Sequence, residues 1–164
     1  MDADAVHALL RESDAYQAAK TGTGVPARRL ETTRRLVAAG AVRILAADDV
    51  PIAMFTLTET PPFDLAATGY GPSPRPLYLQ RLAVCAEAAA AGSLVGVQAV
   101  RRAIEEAQDL GATALRCEAN PDLTGTRQLL DRLGFRQRGR VHADVTRRWV
   151  HLELPLEAAV TEAG

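Results

Sequence analysis

Residues 77–96 read LYLQRLAV followed by CAEAAAAGSLVG, and the fold turns on how this stretch is parsed. Leu77–Val84 is apolar enough to lie inside a sheet. A glycine-bearing loop follows. From about Ser93 to Leu110, Val97, Val100, Ile104 and Ala107 then fall on one face of a long helix that Gly111 closes. Next come a second strand, Thr113–Ala119, and a shorter helix with Leu123, Thr126, Leu130 and Leu133 on its buried side, ending in Leu133-Gly134-Phe135. A loop that opens a helix beside a buried strand end leaves backbone N–H groups unpaired, with the helix dipole behind them. That is a site for an anion.

Upstream, residues 4–19 place Val6, Leu9, Leu10 and Tyr16 near helical spacing, with Asp2 or Asp4 as N-cap. TGTGVP at 21–26 reads as a linker, because it lacks the Gly-Lys-Ser/Thr ending of a phosphate loop and no strand precedes it. A second helix carries Leu30, Thr33 and Val37 and stops at Gly40. Val42–Ala47 and Ile52–Thr58 form a hairpin about Asp48-Asp49. The stretch from Pro61 to Pro76 holds Pro, Gly, Phe63 and Tyr70. It is long for a compact domain, so it is expected to be mobile or a substrate-facing lid. Phe135–Val141 and Arg147–Leu156 read as a closing antiparallel pair, and 158–164 as a frayed tail. The order α-α-β-β-β-α-β-α-β-β implies a mixed α/β sheet with a strand–helix–strand crossover in its middle.

The chain has 164 residues, which fits a single domain over 1–164 with a sizeable core. Its net charge of −1, with Lys20 the only lysine, gives no basic stripe for nucleic acid or an anionic membrane. Cys85 and Cys117 form no CxxC, and no apolar run approaches the ~20 residues that span a bilayer. These features predict a soluble cytoplasmic protein with two reduced thiols.

YLQRLAV at 78–84, the helix text at 99–107, LRCE at 115–118 and LDRLGF at 130–135 together resemble the GNAT superfamily of N-acyltransferases. Such enzymes move an acyl group from a coenzyme A thioester to an amine. The resemblance covers roughly residues 3–156 and implies a central mixed sheet, flanked by helices and splayed between its two middle strands. The family's first strand has no counterpart ahead of Val6. The departures fall on the donor site. Aligned on Gly96, the family's loop Arg/Gln is Ala91 and its middle Gly is Leu94, with Gly92 beside them. The Asn that usually precedes the G-F falls on Leu123, and the Tyr that protonates the departing thiolate falls on Leu130. Asn120 stands three positions early.

The resemblance therefore implies thioester-to-amine acyl transfer to a small molecule, with an altered donor grip. The donor is acyl-CoA or a phosphopantetheine thioester on an acyl carrier protein; the alternative is a non-catalytic GNAT-like binding module. The donor residues it implies are Leu82, Ala83 and Val84 at the strand end, Gly92, Ser93, Leu94, Val95, Gly96 and Val97 in the loop, and Asn120. A carrier protein and a second copy of the chain are the candidate macromolecular partners.

Amide formation needs a neutral amine held near the carbonyl and a donor for the oxyanion, for which the Val84 N–H is the natural choice. Tyr78, Gln80 and Leu82 share a strand face by alternation. Tyr78, Gln80 and Glu118 are the candidate catalytic residues. Glu118 could take a proton or hold an ammonium, or it is a carboxylate paired with Arg81 or Arg116. Cys117 has no neighbouring His and reads as a buried strand cysteine. Trp149, His151 and Glu153 share a face that could line the acceptor side or be an ordinary half-exposed strand face. His7 reads as solvated, as do the arginine runs that include Arg101-Arg102, although one of these runs could dock an acidic carrier protein, and the helix bearing Arg101 and Arg102 adjoins the donor loop. No His, Cys, Asp and Glu set has metal-ligand spacing, so no metal is expected.

Overall fold

A computed structural model describes residues 1–157, so the tail expected over 158–164 lies outside the described residues. Helix α1 (Ala3–Thr21) starts at Asp2, whose side chain accepts from the Asp4 amide, and stops at Gly22 in the left-handed region. Helix α2 (Leu30–Ala38) stops before Gly40, φ 64°. Strands β1 (Val42–Ala47) and β2 (Val50–Thr58) turn through Asp48 and Asp49, both at positive φ, as a tight hairpin requires. Then come β3 (Pro76–Val84), a short α3 (Ala86–Ala90), α4 (Val95–Asp109), β4 (Ala114–Ala119), α5 (Thr124–Arg132), β5 (Arg136–Ala143) and β6 (Arg148–Pro155). Among the described residues no strand precedes α1.

The sheet runs β1-β2-β3-β4-β6-β5, with β3 and β4 its one parallel pair and α4 their crossover. Helix α4 buries Ala99, Val100, Ala103 and Ala107 against Phe55, Leu57, Leu77, Leu79 and Leu115. Three alanines at those positions let the helix sit close to the strands. Val6, Leu9 and Leu10 of α1 cover Met54 and Ala83 on the opposite face.

Two features shape the middle of the sheet. First, β3 and β4 pair only over Pro76–Tyr78 and Ala114–Arg116, and then part. Second, β3 carries an extra residue against β2, since Thr56 pairs with Gln80 but Met54 with Ala83. The bulge lies at Arg81, φ 51°, and bends the strand. The Arg81 guanidinium donates to the Thr33 hydroxyl at 3.1 Å, and Thr33 is itself buried and bonded to His7. His7 is thus tied into the fold rather than solvated. The bulge also reverses the alternation expected from Tyr78 onwards. Leu82 and Val84 pack with the α4 core, Ala83 faces α1, and Leu82 does not share the face of Tyr78 and Gln80.

The 59–75 connection is strapped down at several points, contrary to a freely mobile segment. Tyr70 Oη lies 3.0 Å from the carbonyls of both Cys117 and Leu152; Gly71 O accepts from Arg116 at 2.6 Å; and Ser73 meets Thr113 at 2.7 Å. The strap crosses β5 where Gly69 and Gly139 touch backbone to backbone, and a Cβ on Gly69 would lie 2.3 Å from the Gly139 amide nitrogen. Gly69→Ala should therefore cost about 1–3 kcal/mol in chemical unfolding. Gly71→Ala, whose Cβ meets nothing within 4 Å, should cost far less.

Candidate active site

The parting of β3 and β4 opens a gap through the sheet with different chemistry on its two faces. On the α4 face, helix α4 begins at Leu94 with no side-chain cap. The first amide there bonded within the helix is that of Gln98, to Leu94 O, so the Val95, Gly96 and Val97 amides are orphan donors in the usual sense of a helix start. Gly96 and Val97 line a cleft of about 410 Å³ together with Ser93, with Arg101 one turn further on, and with Leu129 and Arg132 of α5. Gly96 matters here because a Cβ would stand 3.6 Å from Leu129 and 3.7 Å from Val84, narrowing the cleft at its neck.

The opposite face is covered by the strap. Beneath the strap the register sets Tyr78 of β3 opposite Arg116 of β4, Arg116 opposite Glu153 of β6, and Glu118 opposite His151, with Trp149 two residues before His151 on β6 and paired with His142 of β5. Phe63 of the strap lies 4.9 Å from the His151 ring and 5.8 Å from the Tyr78 ring; Tyr70 lies 5.8 Å from His151. His151 is 1% exposed, and neither ring nitrogen has a hydrogen-bond partner. Its Nε2 is 3.6 Å from Glu118 Oε2. Burial pushes the His151 pKa below its ordinary value; the Glu118 charge opposes the fall, and His142 and Arg147 add to it. The other oxygen of Glu118 accepts from Arg147, whose guanidinium also lies 4.6 Å over the Trp149 ring. Glu153 is held by the buried Arg116 at 2.7 Å and by Arg138 at 3.1 Å.

Neither a family model nor a curated protein matches the sequence. Solved structures do match. An acetyltransferase of the GNAT family from Streptococcus agalactiae aligns at 18% identity over 94% of this chain and 90% of its own, with a TM-score of 0.76. The ribosomal-protein-S18-alanine N-acetyltransferase of Escherichia coli aligns at 14% identity over 100% and 95%, with a TM-score of 0.65. A chain of the NatC complex bound to Gag peptide and CoA aligns at 16% identity over 89% and 92%, also with a TM-score of 0.65. The chain has the GNAT fold.

The mixed α/β sheet, its flanking helices and its central splay are those the GNAT resemblance implied. The site residues divide. Ser93, Gly96 and Val97 line the cleft at the start of α4. Gly92 ends α3 at φ 64° with open space around it, Leu94 points outward at 69% exposure, and Val95 packs into the core. Asn120 is spent locally, its side chain accepting from the Asp122 amide at 2.9 Å. The Val84 amide, expected as the oxyanion donor, donates instead to the Ser13 hydroxyl of α1 at 3.1 Å. Gln80 donates to Thr58 at 2.7 Å, and Tyr78 is buried under Phe63. Glu118 does stand at the gap, but its partner is Arg147, whereas Arg116 pairs with Glu153 and Arg81 with Thr33.

Leu130, at the position of the GNAT tyrosine, is 3% exposed in the core. Burial pushes the Cys117 thiol up to about 12, so it is no nucleophile at neutral pH. Among the described residues no group of three or more His, Cys, Asp or Glu could hold a metal ion, and no helix is long and apolar enough to cross a membrane.

Sequence reasoning missed Arg101 and Arg132 as cleft residues, and it missed Arg147. It found the shared face of Trp149, His151 and Glu153 but not its roof, since only the fold places the strap there. The roof has a measurable consequence. With a folded pKa below the ordinary 6.5, His151 binds fewer protons in the native state than in the unfolded chain across the interval between the two values. The stability associated with the neutral ring is complete above 6.5 and is lost as pH falls through the folded value. Unfolding free energy of the wild type should therefore drop more steeply on acidification than that of His151→Gln. Denaturant titrations of both proteins across this range measure the difference.

Proposed function

We propose that the chain is an N-acyltransferase that transfers an acyl group from acyl-CoA to an amine of a small molecule. The observation that carries this reading is the gap between β3 and β4, which joins an uncapped, cationic helix start on one face to the Glu118–His151 pair on the other. The orphan amides of Val95, Gly96 and Val97, with the Arg101 guanidinium above them, suit a pyrophosphate. Arg132 across the cleft adds a second cation. Positive charge absent from the loop at Ala91 is thus supplied from the helix faces.

An extended pantetheine arm running through the gap can pair with the free edge of β3 as a further strand would. Alternation puts the Leu82 amide on the same edge as that of Val84, two residues nearer the parting. With Val84 committed to Ser13, Leu82 N–H is the oxyanion donor this reading favours. On the other face Glu118 attracts the substrate ammonium, and the Glu118–His151 pair takes one proton from it; burial keeps the imidazole neutral and ready for that step. The amine then forms the C–N bond, the C–S bond breaks, and the second amine proton leaves with the thiolate as thiol. General acid–base help of this kind is typically worth about 10²–10⁴-fold.

Acetyl-CoA at a hundredfold excess over Kd should stabilise the protein by about 2.7 kcal/mol. Arg101→Glu, an exposed substitution, should cut that stabilisation sharply without lowering the melting temperature of the free protein. A flat response of the wild type to acetyl-CoA would exclude this donor. With a turned-over amine, Glu118→Gln should lower kcat/KM by about 10²–10⁴-fold.

A carrier-borne phosphopantetheine thioester is the second reading. The outward Leu94, 69% exposed at the start of α4, offers an apolar contact for a partner protein at the mouth of the cleft. Under that reading Leu94→Glu should impair transfer from a carrier-bound acyl group and leave transfer from acetyl-CoA unchanged.

A further inference from the structure

The strap-side face of the sheet carries two carboxylates, Glu118 and Glu153, and the protein treats them differently. Glu153 is 8% exposed and neutralised from within: Arg116, itself buried, binds one oxygen and Arg138 the other. Glu118 has no buried cation. Its protein counter-charge is Arg147, whose side chain is 53% exposed at the tip of the β5–β6 hairpin. Exposed ion pairs of this kind hold weakly. The turn that carries Arg147 does not depend on that side chain, because Asp144 Oδ1 accepts from the Thr146 amide, the Thr146 hydroxyl and the Arg147 amide, and the Asp144 amide bonds to Arg147 O. The guanidinium can therefore leave while the hairpin keeps its shape.

What it would leave behind is a receptor for a cation. Glu118 offers a carboxylate oxygen. Trp149 offers a ring face, held flat by His142 stacked on it at 5.4 Å and 14°. A carboxylate beside an aromatic face is the usual arrangement for binding ammonium or guanidinium. Behind it His151, fully buried with both ring nitrogens unpartnered, faces the other oxygen of the same carboxylate at 3.6 Å.

We propose that the Glu118–Trp149 notch is the acceptor's cation-recognition subsite and that Arg147 is its resident competitor. The acceptor class that fits is a small molecule with two cationic nitrogens, such as a diamine or a guanidinoalkylamine. One nitrogen replaces the Arg147 guanidinium over Trp149, and the other, on the His151 side, loses its proton and is acylated. This rests on the acyl-transfer reading for the second nitrogen only; recognition of the first is a binding property of the free protein. Because Arg147 must vacate the notch, the apparent affinity for the acceptor is reduced by the fraction of time the notch is open.

Calorimetric titration of the full chain with 1,4-diaminobutane, agmatine and n-butylamine tests this directly. The two dications should bind more tightly than the monoamine, by roughly 2- to 30-fold if a cation–π contact accounts for the difference. Arg147→Ala should strengthen diamine binding several-fold, and in turnover with acetyl-CoA it should lower KM for the diamine with little change in kcat. Trp149→Leu should erase the preference for dications while the protein keeps its melting temperature. Equal binding of n-butylamine and 1,4-diaminobutane, or weaker diamine binding by folded Arg147→Ala, overturns the subsite. Turnover of n-butylamine with no diamine preference would sink the subsite alone, whereas tight diamine binding without turnover of any amine would support it and sink the acyl-transfer reading instead.

Discussion

A single backbone irregularity governs how this sheet becomes a site. Arg81 sits in the left-handed region inside β3, where a side chain with a Cβ is disfavoured, and the strand has one residue too many for its partner β2. Such a residue persists only if its surroundings hold it. Here the guanidinium reaches back to Thr33, the buried residue of α2, and Thr33 is in turn fixed by His7 of α1. The two N-terminal helices thus brace the bend from one face, while Leu82 and Val84, turned over by the same bulge, anchor it from the other. Strand β4 continues straight on with β6, and β3 leaves it. The gap that results needs no ligand to open it.

The arrangement of charge follows from that gap. On the α4 face the groups that favour an anion are backbone amides at an uncapped helix start, with guanidinium groups on two different helices. On the strap-covered face the carboxylates are graded by how firmly they are bound internally. Glu153 is fully committed and structural; Glu118 is only loosely satisfied by an exposed arginine. A buried carboxylate with strong internal partners cannot bind a substrate cation without losing them, so the residue with the weaker partner is the one able to exchange it.

Much of the fold was legible in the sequence because its signals are local and periodic. Val97, Val100, Ile104 and Ala107 mark the apolar side of α4, although the residues buried deepest are Ala99, Val100, Ala103 and Ala107; the Asp48-Asp49 pair marks a tight hairpin, and Gly134-Phe135 marks the end of α5 and the entry to β5. The bulge was not legible. LYLQRLAV reads as a regular strand, and nothing in those letters says that Arg81 takes a positive φ, because what stabilises it lies nearly fifty residues away at Thr33. That one slip carried the error at Leu82, since a register change of one residue exchanges the faces of everything after it.

The site was half legible for the same reason. Aligning letters to the pattern of a familiar loop finds charge only where that pattern keeps it, so Ala91 read as a loss. Arg101 lies one turn into α4 and Arg132 at the end of α5, and only tertiary packing brings both to the same cleft. A phosphate responds to the local field and to available donors, not to the chain position of the residue that supplies them. An anion site can therefore lose its sequence signature without losing its electrostatics. The opposite holds for Leu130. A buried leucine cannot be replaced as a proton donor by charge from elsewhere, so under the proposed acyl transfer any acid assistance to the leaving thiolate has to come from the amine's own proton. That requirement places more weight on the Glu118–His151 pair, because an amine that has already lost one proton can form the new bond and still carry the second to sulfur.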